Sequence, residues 1–296
     1  PSAAIAHGRD LTLPSNPYQW LLPRVFSGLD RLLPVSRATG DEALGRGFET
    51  AKLDVLPNGI DVTRFSPPTD KAQARTDLLQ AAGLDLPDDA LLLSSIGRHV
   101  ERKGFGWFAE RVMPTLPDGI HWLLGGEGPV TDAIRTIVRE RGLQDRVHLL
   151  GRVSEEMLAQ LYQGSDLFVM PNRPVEGDME GFGVVMLEAN LAGTPAIGAG
   201  IEGIRDVITE GVNGHLLPTG DVRAFSDVIA RYHFDRSALD ELSAQASRHV
   251  RDTFSWDAVA RRYVDSLRAL TGISGDGVVL SGDGMATEPE LAVSAL

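Results

Sequence analysis

A rhythm that sets in near residue 90 constrains this chain more than any other feature. Short apolar runs at 91–97, 121–125, 147–150, 167–170, 195–198 and 214–217 alternate with helical periodicity over 106–113, 130–141, 154–163, 183–191 and 204–208. Within the runs the apolar residues are consecutive rather than alternating. A strand with one wet face alternates; a strand covered on both faces does not. Strand–helix alternation of this kind predicts an α/β fold, a parallel sheet wound with helices on both sides.

The flanks add to this core. Ile5-Ala6-His7 has the character of a strand end, and 31–35 that of a buried strand. Ser36 is placed to cap a helix running to about Leu44 and stopping near Gly45. Residues 18–26 are apolar and rich in aromatics, interrupted by Pro23. This is βαβα material, too short to close a sheet of its own. The first residue is Pro1 rather than Met, which points to sequence upstream. Leu56-Pro57-Asn58-Gly59-Ile60-Asp61 is turn-rich, since Asn-Gly favours a tight turn, and is expected to hinge two lobes. Helices are expected over 221–232, 238–253 and 255–270, the last with Trp256, Val259, Tyr263 and Leu267 near helical spacing. Residues 272–296 are rich in Gly, Ser and Ala, with four acidic residues and no basic ones. They read as a disordered tail. The expected division is 1–56 as the remainder of a first lobe, 57–253 as a second lobe, 254–271 as a last helix, and 272–296 as the tail.

Composition removes several function classes. The absence of cysteine excludes disulfides, thiolate metal sites and a cysteine nucleophile. A net charge of −13 argues against nucleic acid as partner. No run reaches the roughly 20 apolar residues of a membrane span, and no signal-peptide pattern opens the chain. The expected location is cytoplasmic, with peripheral contact at the inner face of the cell membrane through the first lobe. Serine-hydrolase and P-loop motifs are missing.

Four segments carry chemistry. Gly97-Arg98-His99-Val100-Glu101-Arg102-Lys103-Gly104 follows the first strand of the regular region, where open α/β sheets bind ligands. Arg98 and Lys103 there suit a diphosphate, helped by a helix N-terminus; a solvated basic turn is the alternative. Glu180-Gly181-Phe182-Gly183-Val184-Val185-Met186-Leu187-Glu188 places one glutamate in a glycine-flanked loop and one on the following helix. Carboxylates accept hydrogen bonds from adjacent sugar hydroxyls, and the first-turn N–H groups of that helix face the same space; two surface glutamates are the alternative. Gly125-Gly126-Glu127-Gly128-Pro129 fits a tight strand-to-helix turn. Gly151, Arg152 and Val153 end a strand at the same rim, in reach of a base. Glu176 and Asp178 have metal-ligand types but no histidine beside them, so no metal is expected. His7 is a further candidate in the first lobe, although a lone histidine at a strand end is usually structural.

With these pieces in order, the sequence resembles the retaining GT-B glycosyltransferases of family 4, from about His7 to Leu270. Pro57-Asn58-Gly59-Ile60-Asp61 with Arg64-Phe65 resembles the hinge signature. Gly97-Arg98 to Lys103-Gly104 resembles the diphosphate pair, Gly126 to Pro129 the glycine loop, and Glu180 to Glu188 the paired-glutamate motif. Gly193-Thr194-Pro195 and Asn213-Gly214 fill two more positions. The resemblance implies two Rossmann-like lobes, the first incomplete because its glycine-rich loop and much of its acceptor site are not in the chain. It implies a hexose moved from a nucleoside-diphosphate sugar, GDP-mannose or a UDP-hexose, to a hydroxyl acceptor on a glycan, a lipid-linked molecule or a small molecule. No cofactor is implied, since the sugar nucleotide is a substrate. Arg98 and Lys103 would neutralise the diphosphate and Glu180 would face the sugar, with His7 at the first-lobe side. Glu188 would bind the ribose, Gly151, Arg152 and Val153 the base, and the backbone of Phe182, Gly183 and Val184 the sugar or phosphate, while the helix over 254–271 would cross back and pack on the first lobe. The stretch Tyr18, Trp20, Leu21, Leu22 prompts a lipid-linked or inositol-type acceptor. An epimerase, a glycoside phosphorylase and a non-catalytic sugar-nucleotide-binding module on the same architecture are the alternatives.

Overall fold

The computed structural model describes residues 1–272; the expected tail falls, from residue 273, outside the described residues. Two parallel sheets organise them. The first pairs β1 (Ala3–Ala6) with β2 (Arg31–Pro34). Around it lie α1 (Arg9–Thr12), α2 (Asn16–Ser27) and α3 (Arg37–Gly45). Ser36 caps α3, its hydroxyl accepting from Thr39 N at 3.1 Å.

The second sheet comprises β3 (Leu91–Ile96), β4 (Ile120–Gly125), β5 (Val147–Gly151), β6 (Leu167–Met170), β7 (Ala196–Ala199) and β8 (Gly214–Leu217). Their order is β5-β4-β3-β6-β7-β8, all parallel. Numbered along the sheet's own strands this is 3-2-1-4-5-6, the doubly wound order with its reversal between β3 and β6. Leu91, Leu92 and Leu93 are all fully buried, which explains the missing alternation: helices cover both faces. One face carries α5 (Phe105–Trp107), α6 (Thr131–Glu140) and α9 (Val222–Phe234). The other carries α4 (Lys71–Ala82), α7 (Glu155–Gly164), α8 (Val184–Leu191) and α10 (Arg236–Phe254).

Three expectations need correction. The helix expected over 106–113 is a short α5 that widens into a π-turn at Phe108–Val112 and tightens to a 3₁₀ turn at Met113–Thr115, where Pro114 removes a backbone donor. The helix expected over 204–208 is a 3₁₀ turn, Glu202–Asp206. The apolar face expected on α11 (Trp256–Thr271) buries Val259 but leaves Trp256 and Leu267 exposed. The reason is its neighbour: α11 runs beside hinge backbone rather than a side-chain core. Tyr263 donates to Leu56 O at 3.3 Å. A Cβ on Gly59 would lie 2.4 Å from the Trp256 ring, so only glycine fits that approach. Arg251 of α10 donates to Val62 O and Phe65 O, fastening the rest of the hinge.

Candidate active site

The strand order reverses between β3 and β6, and open α/β sheets take their ligands at such a reversal, beyond the carboxyl ends of the strands. From β3 the chain turns through Gly97 into a 3₁₀ turn, Glu101–Lys103, which ends on Gly104 in the left-handed region. A Cβ on Gly104 would lie 2.1 Å from Pro171 O, and one on Gly126 would lie 2.0 Å from Gly97 O. The glycines therefore let three strand-end loops close on one another. Gly126 N donates to Gly151 O at 2.7 Å, which brings Gly151, Arg152 and Val153 into the same group.

Glu180 sits at the centre. Its Oε2 accepts from Lys103 Nζ at 2.6 Å, from Arg102 NH1 at 2.5 Å and from Asn172 Nδ2 at 3.1 Å. Burial alone would raise its carboxyl, but Lys103 and then Arg102 outweigh that and hold it below the usual carboxylate value. Burial pushes the Lys103 ammonium down, opposed by the charge of Glu180. Asn172 is fully buried, and its Oδ1 has no hydrogen-bond partner among the described residues. That acceptor stands beside Glu180 at the end of β6.

Glu188 occupies a different environment. Tyr162 donates to its Oε2 at 2.9 Å and Arg64 NH1 to its Oε1 at 3.0 Å. A second Arg64 nitrogen pairs with Glu155 at the start of α7. Burial raises the Glu188 carboxyl above its ordinary value despite the Tyr162 and Arg64 contacts. The two glutamates share no hydrogen-bond partner. Glu180 joins the β3 loop, whereas Glu188 joins the hinge to α7, beside the Gly151–Val153 segment that leads into that helix.

Arg98 and Lys103 also part. Lys103 is buried on Glu180, while Arg98 is exposed and lines a cavity of about 590 Å³ with Gly126, Gly128, Arg135 and Arg152. Arg152 is 89% exposed, and its Nε is 3.1 Å from Glu127 Oε2. The Phe182 ring packs against Phe254 at 6.3 Å, so only its backbone can face a ligand. Gly183 takes the left-handed region (φ 75) and starts α8 with no side-chain cap. Val184 follows as the first residue of α8, with its side chain exposed. His7 reaches the site through its backbone: a Cβ on Gly181 would lie 2.4 Å from His7 O. Arg37 of α3 makes a further bridge between the sheets, to Asp206 at 2.6 Å.

Sequence reading missed several participants, Asn172 among them. Arg102 was passed over for Lys103, yet it bonds both Glu180 and Asp178. A run of cations on a single tight turn was the available signal. Arg64 figured only as part of the hinge, and Glu202, described below, gave no signal.

Glycosyl transferases group 1 match residues 90–235, the sheet and strand-end loops just described. The second sheet and its strand-end loops belong to that family. Among curated relatives it is 29% identical over 256 residues to the GDP-mannose-dependent alpha-(1-6)-phosphatidylinositol monomannoside mannosyltransferase of Mycobacterium tuberculosis, covering 84% of this chain and 64% of the relative. It is 30% identical over 248 residues to the D-inositol 3-phosphate glycosyltransferase of Xylanimonas cellulosilytica, covering 82% and 57%. This chain thus spans about three-fifths of the length of those relatives. Among solved structures, Anabaena HepE in complex with UDP superposes with a TM-score of 0.76 at 20% identity, covering 91% of this chain and 72% of that one. Sucrose-phosphate synthase from Thermosynechococcus elongatus gives 0.74 at 24% identity, covering 92% and 68%. These neighbours show the GT-B fold for the chain. Among the described residues no helix is long and apolar enough to cross a membrane.

Proposed function

We propose that the protein to which this chain belongs is a retaining hexosyltransferase that takes GDP-mannose or a UDP-hexose as donor and a hydroxyl as acceptor. One observation carries the reading: a cation-held carboxylate, Glu180 on Lys103 and Arg102, lies where the doubly wound sheet reverses its strand order. The printed donors of relatives and neighbours, GDP-mannose for one and UDP for another, support a nucleoside-diphosphate sugar.

In this reading the diphosphate lies along the 97–104 loop and takes Arg98 and Lys103 as counter-ions. Glu188 receives the ribose hydroxyls, and Gly151 to Val153 meet the base. Glu180 and the orphan Asn172 Oδ1 accept from sugar hydroxyls. The bond from the anomeric carbon to phosphate oxygen breaks, its electron pair passing to the diphosphate. Fixed cations and the open N–H groups at the start of α8 stabilise that charge. The acceptor oxygen bonds the anomeric carbon on the face the diphosphate leaves, and its proton passes to a departing phosphate oxygen. Side-chain cations supply the charge a divalent metal would bring, so turnover should persist in a chelator.

The test is a donor screen on the full-length protein, with the anomeric configuration of the product read by NMR. Transfer from GDP-mannose or a UDP-hexose with retention supports the reading. Epimerisation without transfer, or phosphorolysis of a glycoside, replaces it.

A further inference from the structure

Among the described residues, Glu202 is the one non-glycine residue with a positive φ, at 46. An L side chain pays a steric penalty there, and such residues persist where surrounding contacts fix them. The contacts are specific. Glu202 Oε2 accepts from Glu180 N at 2.5 Å, and Gly203 N donates to Glu180 O at 3.0 Å. Two consecutive residues thus clasp both backbone groups of Glu180. The fit leaves no slack, since a Cβ on Gly203 would lie 2.2 Å from Gly181 O. The same turn is anchored at its far end. Asp206 accepts from Arg37 N at 2.9 Å and Arg37 Nε at 2.6 Å, and Arg205 O accepts from Arg37 NH2 at 3.1 Å.

We propose that Glu202 is a positioning residue for Glu180. It trades an unfavourable backbone conformation for a carboxylate that fixes the Glu180 peptide, while Lys103 and Arg102 fix the side chain. The turn Glu202–Asp206 is held at its other end by the first sheet's α3, so the register of Glu180 is tied to the docking of that helix. The catalytic part of this inference rests on the transferase reading above; the clasp itself does not.

Two variants test it. Glu202→Gly removes the acceptor and relieves the positive φ; Glu202→Gln keeps an acceptor oxygen. Hydrogen exchange by mass spectrometry is read over residues 178–183, with sugar transfer by the full-length protein in parallel. Glu202→Gly should speed exchange of that segment about tenfold, the equivalent of one hydrogen bond to a charged group, with a melting temperature equal to or above the parent's. Turnover should fall by about tenfold with a smaller change in donor KM, and Glu202→Gln should restore most of both. Unchanged exchange at 178–183 in Glu202→Gly overturns the clasp. Faster exchange with parental turnover, in a protein that Lys103→Ala inactivates, overturns the positioning role. Faster exchange in Glu202→Gly, where the full-length parent itself transfers no sugar, refutes the transferase reading and leaves the clasp standing.

Discussion

Replacing Glu188 separates a structural from a binding role at one carboxylate. The side chain is buried between the Tyr162 hydroxyl at 2.9 Å and Arg64 at 3.0 Å. Glu188→Ala leaves the Tyr162 hydroxyl, on a fully buried ring, without its acceptor. An orphaned buried donor costs about 1–3 kcal/mol, which in a chain of this size lowers the melting temperature by roughly 2–4 °C per kcal/mol. If the carboxylate also receives ribose hydroxyls, its loss removes a charge-assisted contact worth about 1.5–3 kcal/mol. That converts to a rise in nucleoside-diphosphate Kd of roughly 10- to 150-fold. Tyr162→Phe is the control: it deletes the structural bond, keeps the carboxylate, and should change Kd little. Calorimetric titration of the diphosphate, beside a thermal melt, reads both effects. A folded Glu188→Ala protein that binds the diphosphate as tightly as the parent refutes the ribose assignment and leaves Glu188 a purely structural partner of Tyr162.

Arg98→Ala and Lys103→Ala should each slow transfer on the order of 10²-fold, because diphosphate charge grows toward the transition state; steady-state kinetics at saturating donor checks this, and turnover near the parent's contradicts it. Gly104→Ala should destabilise by at least about 1–2 kcal/mol, since φ is 68 and the new Cβ would lie 2.1 Å from Pro171 O; a denaturant midpoint equal to the parent's would be the contrary result. His121 and His148 stack at 5.7 Å on neighbouring strands, and burial followed by the charge of His121 lowers His148 to about 4. The folded state then resists a proton that the unfolded chain accepts near 6.5. Stability should be full above pH 6.5 and decline as pH falls toward 4, and His148→Gln should flatten that slope between pH 6.5 and 5 in thermal melts.

The parallel sheet was legible because its physics is local. Strands buried on both faces must be apolar throughout, and 167–170 and 214–217 were bounded as they stand in the structure. A cap was legible too: Ser36 accepts from the backbone N–H three residues on. What escaped depends on contacts distant in sequence. α4 was not marked, its apolar face being thin, with Leu78 its one buried residue. The widening of α5 into a π-turn has no local signature. At the site, residue types were visible at Glu180 and Lys103, but their 2.6 Å pairing crosses 77 positions. The separation of Arg98 from Lys103, and the clasp of Glu202 on Glu180, follow from how three loops meet at the strand ends. No periodicity encodes that.

The central claim is that the reversal between β3 and β6 holds a nucleoside diphosphate through its basic loop. Titrating GDP and UDP separately into the protein and into Lys103→Ala tests it most directly. The account predicts that at least one of the two binds the parent and that Lys103→Ala weakens it by about tenfold or more, as expected for loss of a charged contact. Binding of neither diphosphate, or equal binding by the variant, would contradict it.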